Sequence, residues 1–563
     1  MGRVLSRPVD IDALRTQAQR WLADDPDPIS QAELRAIIDG LPDKAPELAD
    51  RFAGPLTFGT AGLRGPMRAG PNGMNLAVVR QAAAGLVRWL ADRDAQGPLV
   101  IGYDARRGSL AFAEETARVA TGAGREALLL PRVLPTPVLA HAVRRLDACA
   151  GVMVTASHNP PQDNGYKVYL GAALGGVGGD GAQIVPPADA EIEAAIRAVG
   201  PLAQVPLGEP GVRLGEDVVE SYVDGAVAVL DADVVDRVER ANLVIAYTAM
   251  HGVGEAVMAS TIERAGFAPL VSVAAQAQPD PAFPTVSFPN PEEPGAMDLV
   301  LALAQESSAD LAIANDPDAD RCAVAIPTGA GWRMLRGDEV GVLLADHLMR
   351  RGVHGLYATT IVSSSLLPAM CAARGLPSAQ TLTGFKWIVR AGGDDAASLV
   401  YGYEEALGYC VSPAHVRDKD GITAALLVAE LAAGLKAELR TLADRLDELA
   451  AEFGVYATDQ LSVRVEDLSV IAAAMAQLRA DPPAALLDEA VTAFTDLSPE
   501  SDVVIIRTAT SRVVVRPSGT EPKLKAYLEI VEAVGDADVA SARERAAASV
   551  SALRTEVATA LGL

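Results

Sequence analysis

Cysteine is scarce in this chain. The four present among 563 residues, Cys149, Cys322, Cys371 and Cys410, lie far apart, with no CxxC pair and no histidine at zinc-finger spacing. That excludes a disulfide framework and a structural zinc module, and it reads as buried thiols in a reducing compartment. Positive charge is also in deficit: 48 Lys and Arg against 73 Asp and Glu leave a formal charge of −25. Such a chain repels polyanions at long range, and no basic stripe gathers phosphate contacts, so no nucleic-acid partner is expected. Uninterrupted apolar runs never approach the ~18 residues a spanning helix needs. The opening stretch MGRVLSRPVDIDALRTQ lacks the apolar core of a signal peptide. A cytoplasmic protein with no membrane contact is the expectation.

What is abundant is small and apolar. Half the residues are hydrophobic while aromatics are only 4%, a composition suited to α/β layers of small-residue helices packed on strands. The length implies roughly three to five compact units. Short apolar runs, PLVIGYD (98 to 104), GVMVTASHNP (151 to 160), LVIAYT (243 to 248) and LAIANDPDAD (311 to 320), each end in a polar loop and alternate with helical periodicity. Parallel βαβ units follow, with ligands expected at the carboxyl ends of the strands. The last hundred residues differ: LSVRV, VVIIRTA, RVVVRPSG and KAYLEIV read as antiparallel strands. A closing helix follows with Val550, Leu553, Val557 and Leu561 near one face. Pro- and Gly-rich breaks at 200–211 and 326–332, and a third near 453, mark boundaries.

Four segments carry chemistry. In NDPDADR, Asp316, Asp318 and Asp320 recur at a spacing of two directly after a strand, so that oxygen-only ligands converge on one hard cation such as Mg²⁺. An EF-hand is excluded, because Arg321 stands where Gly is needed and Pro327 where the bidentate Glu should be. The plainer reading is a solvated acidic turn, but the adjacent Arg321 suits a phosphate bridging metal and guanidinium. In TASHNP, a strand delivers Ser157, a candidate nucleophile, to its end beside His158. A helix opening at the following proline would aim amide groups at a phosphate on that serine. Taken alone, the same residues fit an ordinary cap and a hydrogen-bonding histidine. RPSGTEPK offers Arg516, Ser518, Gly519 and Thr520 as an anion cradle with Lys523 nearby, against a hairpin turn that would leave Arg516 unexplained. In YGYEEALGY, Glu404 and Glu405 suit sugar hydroxyls, or equally a helix start. Gly176, Gly178 and Gly181 satisfy GxGxxG, but Pro186 and Pro187 intervene before any helix, so GGVGGDG reads as a surface loop.

Taken together, GTAGLRG (59 to 65), TASHNPPQDNGYK (155 to 167), DPDADR (316 to 321), TGFKW (383 to 387), YEEALGY (403 to 409) and RPSGTEPK (516 to 523) resemble the phosphoglucomutase/phosphomannomutase superfamily. Their forms look closer to its phosphoglucomutase and phosphopentomutase-like branch than to the bacterial phosphomannomutases. The resemblance implies three related mixed-sheet α/β domains and a flexible C-terminal α+β domain around a central cleft, here 1–205, 206–328, 329–453 and 454–563. It implies that Ser157 is the phosphoserine and that Asp316, Asp318 and Asp320 hold Mg²⁺ with a phosphoserine oxygen. Arg64, Lys167, His158 and Arg321 would line the catalytic cleft, Lys167 shuttling a proton with a lowered pKa. Lys386 would lie at the cleft wall, Glu404 or Glu405 would grip the sugar, and Arg516, Ser518, Gly519 and Thr520 would clamp the phosphate not being transferred.

The implied reaction interconverts glucose 1-phosphate and glucose 6-phosphate through a bisphosphorylated sugar, with a hexose 1,6-bisphosphate as activator, in a monomer or homodimer. Mannose and pentose phosphates are alternative substrates. Ala406, Leu407 and Tyr409 stand where many relatives carry a serine and a histidine near the sugar glutamate, which leaves sugar choice open. Two rival classes are a phosphatase using Asp316 as an aspartyl nucleophile and a sugar-phosphate sensor without turnover.

Overall fold

The computed structural model describes residues 10–59, 62–393, 398–465, 467–518, 523–535 and 538–561. The chain forms two compact units. One holds Met1–Leu335, Gly392–Ala396 and Ala406–Gly434, and the other Arg336–Ala391, Ala397–Glu405 and Leu435–Leu563.

In the first unit, the runs Leu99–Tyr103 and Ala150–Val154 are buried at every position, as strands covered on both faces must be. They pair in parallel at the centre of a seven-stranded mixed sheet, flanked by Ala127–Leu129 and Val212–Arg213 on one side. On the other side Asp163–Leu170 and Leu63–Pro66 run antiparallel. Helix Leu76–Ala91 packs on this sheet through Leu86 and Leu90, and its first turn is capped by Asn75, whose Oδ1 accepts from the Val78 amide at 3.0 Å. The stretch 200–211 lies along helix Ser109–Gly122, where the Gly208 amide meets the Arg118 carbonyl and Thr121 donates to the Glu209 carbonyl. Three preceding helices, Ile11–Asp24, Pro28–Asp39 and Ala45–Arg51, close around Leu34, Leu48 and Phe52.

A second, five-stranded sheet pairs Ile245–Thr248 with Leu311–Ala314 in parallel. The Pro- and Gly-containing break at 326–332 is a hairpin turn joining Ala323–Thr328 to Gly331–Met334. The signals that mark a linker also mark a tight turn, and the division between the units falls a few residues later, after Leu335.

In the second unit, Leu356–Thr360 pairs in parallel with Ser378–Thr381 and Leu399–Glu404. The C-terminal sheet is antiparallel as expected, in the order Val455–Arg464, Lys523–Glu532, Ser511–Pro517, Val504–Arg507 and Ala493–Asp496. Helix Val539–Ala560 buries Val550, Leu553 and Val557 against it. A polar strap joins the two sheets. Arg512 and Glu529 form a buried ion pair at 3.1 Å, and Arg512 also donates to the carbonyls of Ile361 and Ser363. Glu529 accepts from the hydroxyls of Ser364 and Ser365, both at 2.7 Å.

All four cysteines are free and buried. Burial pushes the Cys371 thiol up to about 12 and raises the other three as well. Among the described residues, no helix is long and apolar enough to cross a membrane.

Candidate active site

Two strand ends of the first unit supply the centre. Leu311–Ala314 runs into Asn315 and the acidic loop, where Ala319 takes a left-handed φ of 54° and the Asn315 side chain donates to the Arg321 carbonyl at 2.6 Å. The turn folds Asp316, Asp318 and Asp320 inward, with ligand atoms all within 4.8 Å of one another and all three residues buried. Ala150–Val154 ends at Thr155, whose Oγ1 accepts from the Ser157 amide at 2.8 Å. Ser157 adopts φ 51°, a conformation costing a non-glycine residue on the order of 1 kcal/mol. Its hydroxyl donates to Asp316 Oδ2 at 2.8 Å and lies 3.1 Å from His158 Nδ1. The helix expected after Ser157 is absent. The loop passes into strand Asp163–Leu170 instead, since YKVYL is rich in the aromatic and β-branched residues that favour a strand.

That strand brings in Lys167, whose Nζ donates to Asp318 Oδ2 at 2.8 Å and Asp320 Oδ2 at 3.2 Å. A lowered pKa was the expectation. Burial does pull Lys167 down, but Asp318 and Asp320 outweigh it and the net shift is upward. Burial, reinforced by Arg321 and Arg64, keeps His158 well below its usual value. Arg64, on the neighbouring strand Leu63–Pro66, donates to Asn159 Oδ1 at 3.0 Å. The turn before it demands glycine at 62: at φ 85°, an added Cβ would lie 1.9 Å from the Tyr166 carbonyl oxygen. Arg321 reaches Glu292 at 3.1 Å.

The triad fits Mg²⁺. Oδ1 of Asp318 and Oδ1 of Asp320 are buried without a hydrogen-bond partner among the described residues, and a buried acceptor left unsatisfied costs about 1–3 kcal/mol. A hard cation taking oxygen ligands supplies the missing partner.

Sequence reasoning missed three neighbours. Thr136 donates to Asp318 Oδ2 at 2.7 Å from the start of helix Thr136–Arg145. Lys419 lies 3.3 Å from Asp320 Oδ2, placed by a segment in which the Gly421 amide meets the Ala319 carbonyl. Arg106 sits beneath the Ser157 loop. The only trace in the sequence was the polar run DARRGS after the strand Leu99–Tyr103 and the cluster RDKDG before a helix.

The remaining predicted residues belong to the second unit. Glu404 ends strand Leu399–Glu404, and Glu405 follows, its Oε2 accepting from Ser363 at 2.8 Å and Thr360 at 3.1 Å. Lys386 is buried in the short helix Phe385–Ile388, with Nζ 5.4 Å from the Trp387 ring centre. Arg516 lies opposite Lys525 in the strand pair, and the Ser518 amide meets the Lys523 carbonyl at 2.8 Å. Tyr527, another residue that sequence reasoning missed, is buried where Arg516, Glu404 and Glu405 all act on it electrostatically. Gly519 and Thr520 lie outside the described residues.

Four consecutive stretches match the phosphoglucomutase/phosphomannomutase family: α/β/α domain I over 55–201, domain II over 220–329, domain III over 336–453 and the C-terminal domain over 461–547. The chain is 47% identical to a probable phosphomannomutase of Haemophilus influenzae, over 81% of this chain and 93% of that one. It is 32% identical to a mouse phosphopentomutase, over 93% and 91% of the two chains. It is 31% identical to a Staphylococcus aureus phosphoglucomutase, over 86% and 91%.

Proposed function

The chain belongs to the phosphoglucomutase/phosphomannomutase superfamily, and from that premise we propose that it interconverts glucose 1-phosphate and glucose 6-phosphate by way of a phosphorylated Ser157. It is an intramolecular phosphotransferase of that type. The observation that carries the reading is the Ser157 hydroxyl held 2.8 Å from Asp316 within the buried aspartate triad.

In the first half-reaction the bond from phosphorus to Ser157 Oγ breaks as a bond to the sugar hydroxyl oxygen forms, giving a bisphosphate. The second half-reaction returns the other phosphoryl group to Ser157. Lys167 exchanges the proton at the reacting oxygen, and Arg64 and Arg321 neutralise charge that a loose transition state spreads over the phosphoryl oxygens. His158 orients the Ser157 hydroxyl. Asp316, Asp318 and Asp320, with Ser157, would hold Mg²⁺, which when bound adds charge neutralisation at the transferring group. Glu404 or Glu405 holds sugar hydroxyls, and Lys386 also contacts the substrate. Arg516, Ser518, Gly519 and Thr520 bind the phosphate that stays in place. The same reading carries reloading of Ser157 by a hexose 1,6-bisphosphate activator, domain boundaries near 205, 328 and 453, a monomer or homodimer, and a cytoplasmic setting.

Two other substrate classes, mannose phosphates and pentose phosphates, are favoured by the names of two relatives, the probable phosphomannomutase and the mouse phosphopentomutase. A panel of glucose, mannose and ribose 1-phosphates assayed with Mg²⁺ ranks them by kcat/KM, and a clear preference for mannose or ribose overturns the glucose assignment. Ser157→Ala is expected to abolish turnover while leaving the fold intact. Undiminished activity in that variant refutes the phosphoserine.

A further inference from the structure

The loop carrying Ser157 is rich in carbonyl groups and poor in amide hydrogens, because Pro160 and Pro161 remove two donors. Its carbonyls converge on one side chain. Arg106 Nη2 donates to the carbonyl oxygens of Ser157 at 2.6 Å and Asn159 at 2.5 Å. Arg106 Nη1 donates to those of Pro160 at 2.8 Å and Asp163 at 3.1 Å. All four terminal N–H groups of the guanidinium thus fall on a single loop.

The cation is itself fixed from below. Its side chain is 1% exposed, and Nε lies 3.5 Å from Asp104 Oδ2. The other oxygen of Asp104 accepts from the Arg106 amide at 2.9 Å and the Ser109 hydroxyl at 2.6 Å. The Phe283 ring centre is 5.0 Å from the guanidinium carbon. Asp104 directly follows strand Leu99–Tyr103, the parallel neighbour of the strand that delivers Ser157. A left-handed serine persists only where its surroundings over-determine it, and the clamp on the carbonyls of 157, 159, 160 and 163 does so. A lysine, with its donors on one atom, cannot span four carbonyls in this fork geometry.

We propose that Arg106 is a positioning residue for phosphoryl transfer: it shapes residues 157–163 so that the Ser157 hydroxyl stays on the aspartate triad, without touching substrate. This rests on Ser157 being the phosphoryl carrier. The test measures single-turnover transfer from phosphorylated Ser157 to glucose 1-phosphate in wild type and Arg106→Lys. It also measures binding of glucose 6-phosphate in Ser157→Ala with and without that change. A misplacement near 1 Å costs about 100-fold in rate, so transfer in Arg106→Lys is expected to fall about 100-fold while sugar affinity changes less than about threefold. Transfer within about threefold of wild type overturns the proposal, as does an equal loss of affinity and rate, which marks a merely structural role. If Arg106→Lys does not fold, Asp104→Asn decides, since it removes the charge that anchors Nε and lets the guanidinium shift off the four carbonyls. About a tenfold slower transfer at unchanged sugar affinity supports positioning, and an unchanged rate refutes it. Absence of phosphate on Ser157 in the wild type, with turnover retained by Ser157→Ala, sinks the carrier reading instead and is a separate result.

Discussion

Acid is expected to weaken the first unit through its buried imidazoles, and the share of His415 can be isolated. His415 lies in the segment that ends at Lys419, its ring 4.7 Å from that of His141 and 5.0 Å from that of Tyr222. It packs against helix Asp217–Val227 so closely that a Cβ on Gly225 would come within 2.4 Å of the ring. Burial first, then His141 and Arg144, push its pKa down to about 3, against about 6.5 in the unfolded chain. The folded value is depressed, so the stabilisation is whole above about 6.5 and is lost as pH falls below it, when the unfolded chain takes a proton that the native state refuses. At about pH 5 the loss is about 2 kcal/mol. Urea unfolding of wild type and His415→Phe at about pH 7 and about pH 5 isolates it, since phenylalanine keeps the ring and drops the proton. Asp420, pushed up to about 6 by burial, works in the opposite sense and cancels between the two proteins. The variant should lose about 2 kcal/mol less than wild type on acidification. Equal losses refute the assignment.

Three further outcomes are expected. Asp318→Asn should lower turnover about 1,000-fold and abolish Mg²⁺ binding measured by calorimetry, because it removes charge from the centre of the triad. Arg512→Met leaves Glu529 buried without its cation and should cost about 3–5 kcal/mol in the unfolding of the second unit, with Glu529→Leu in the same chain recovering part of it. Gly252→Ala would place a Cβ 2.3 Å from Pro317 Cα in the acidic loop, and should cost about 1–3 kcal/mol by thermal unfolding and slow turnover.

The sequence made legible the acidic and hydroxyl groups in two of the loops at strand carboxyl ends. Ser157 and the three aspartates lie in loops that open at the end of an apolar run, and Arg321 closes the second of them. Lys167 was legible only as part of a motif, and its carboxylate partners lie some 150 residues away in the chain, beyond any local pattern. Arg106, Thr136 and Lys419 escaped for the same reason: each is an ordinary polar residue in its own segment and gains meaning only from contacts across the fold. The helix expected after Ser157 failed because the prolines that suit a helix's first turn also suit a loop stripped of donors. Tyr527 has nothing local to single it out within KAYLEIV; Arg516 stands on the adjoining strand, and Glu405 comes from a distant segment.

The sealed cysteines leave the surface chemically silent toward thiol reagents, since a thiol raised by burial yields almost no thiolate near neutrality. A cysteine placed at exposed Val238 in the first unit or Leu439 in the second would therefore take a maleimide probe alone, with no need to strip the native four. One spin label at each of those positions makes a molecular ruler, read with and without sugar phosphate in the native sequence background.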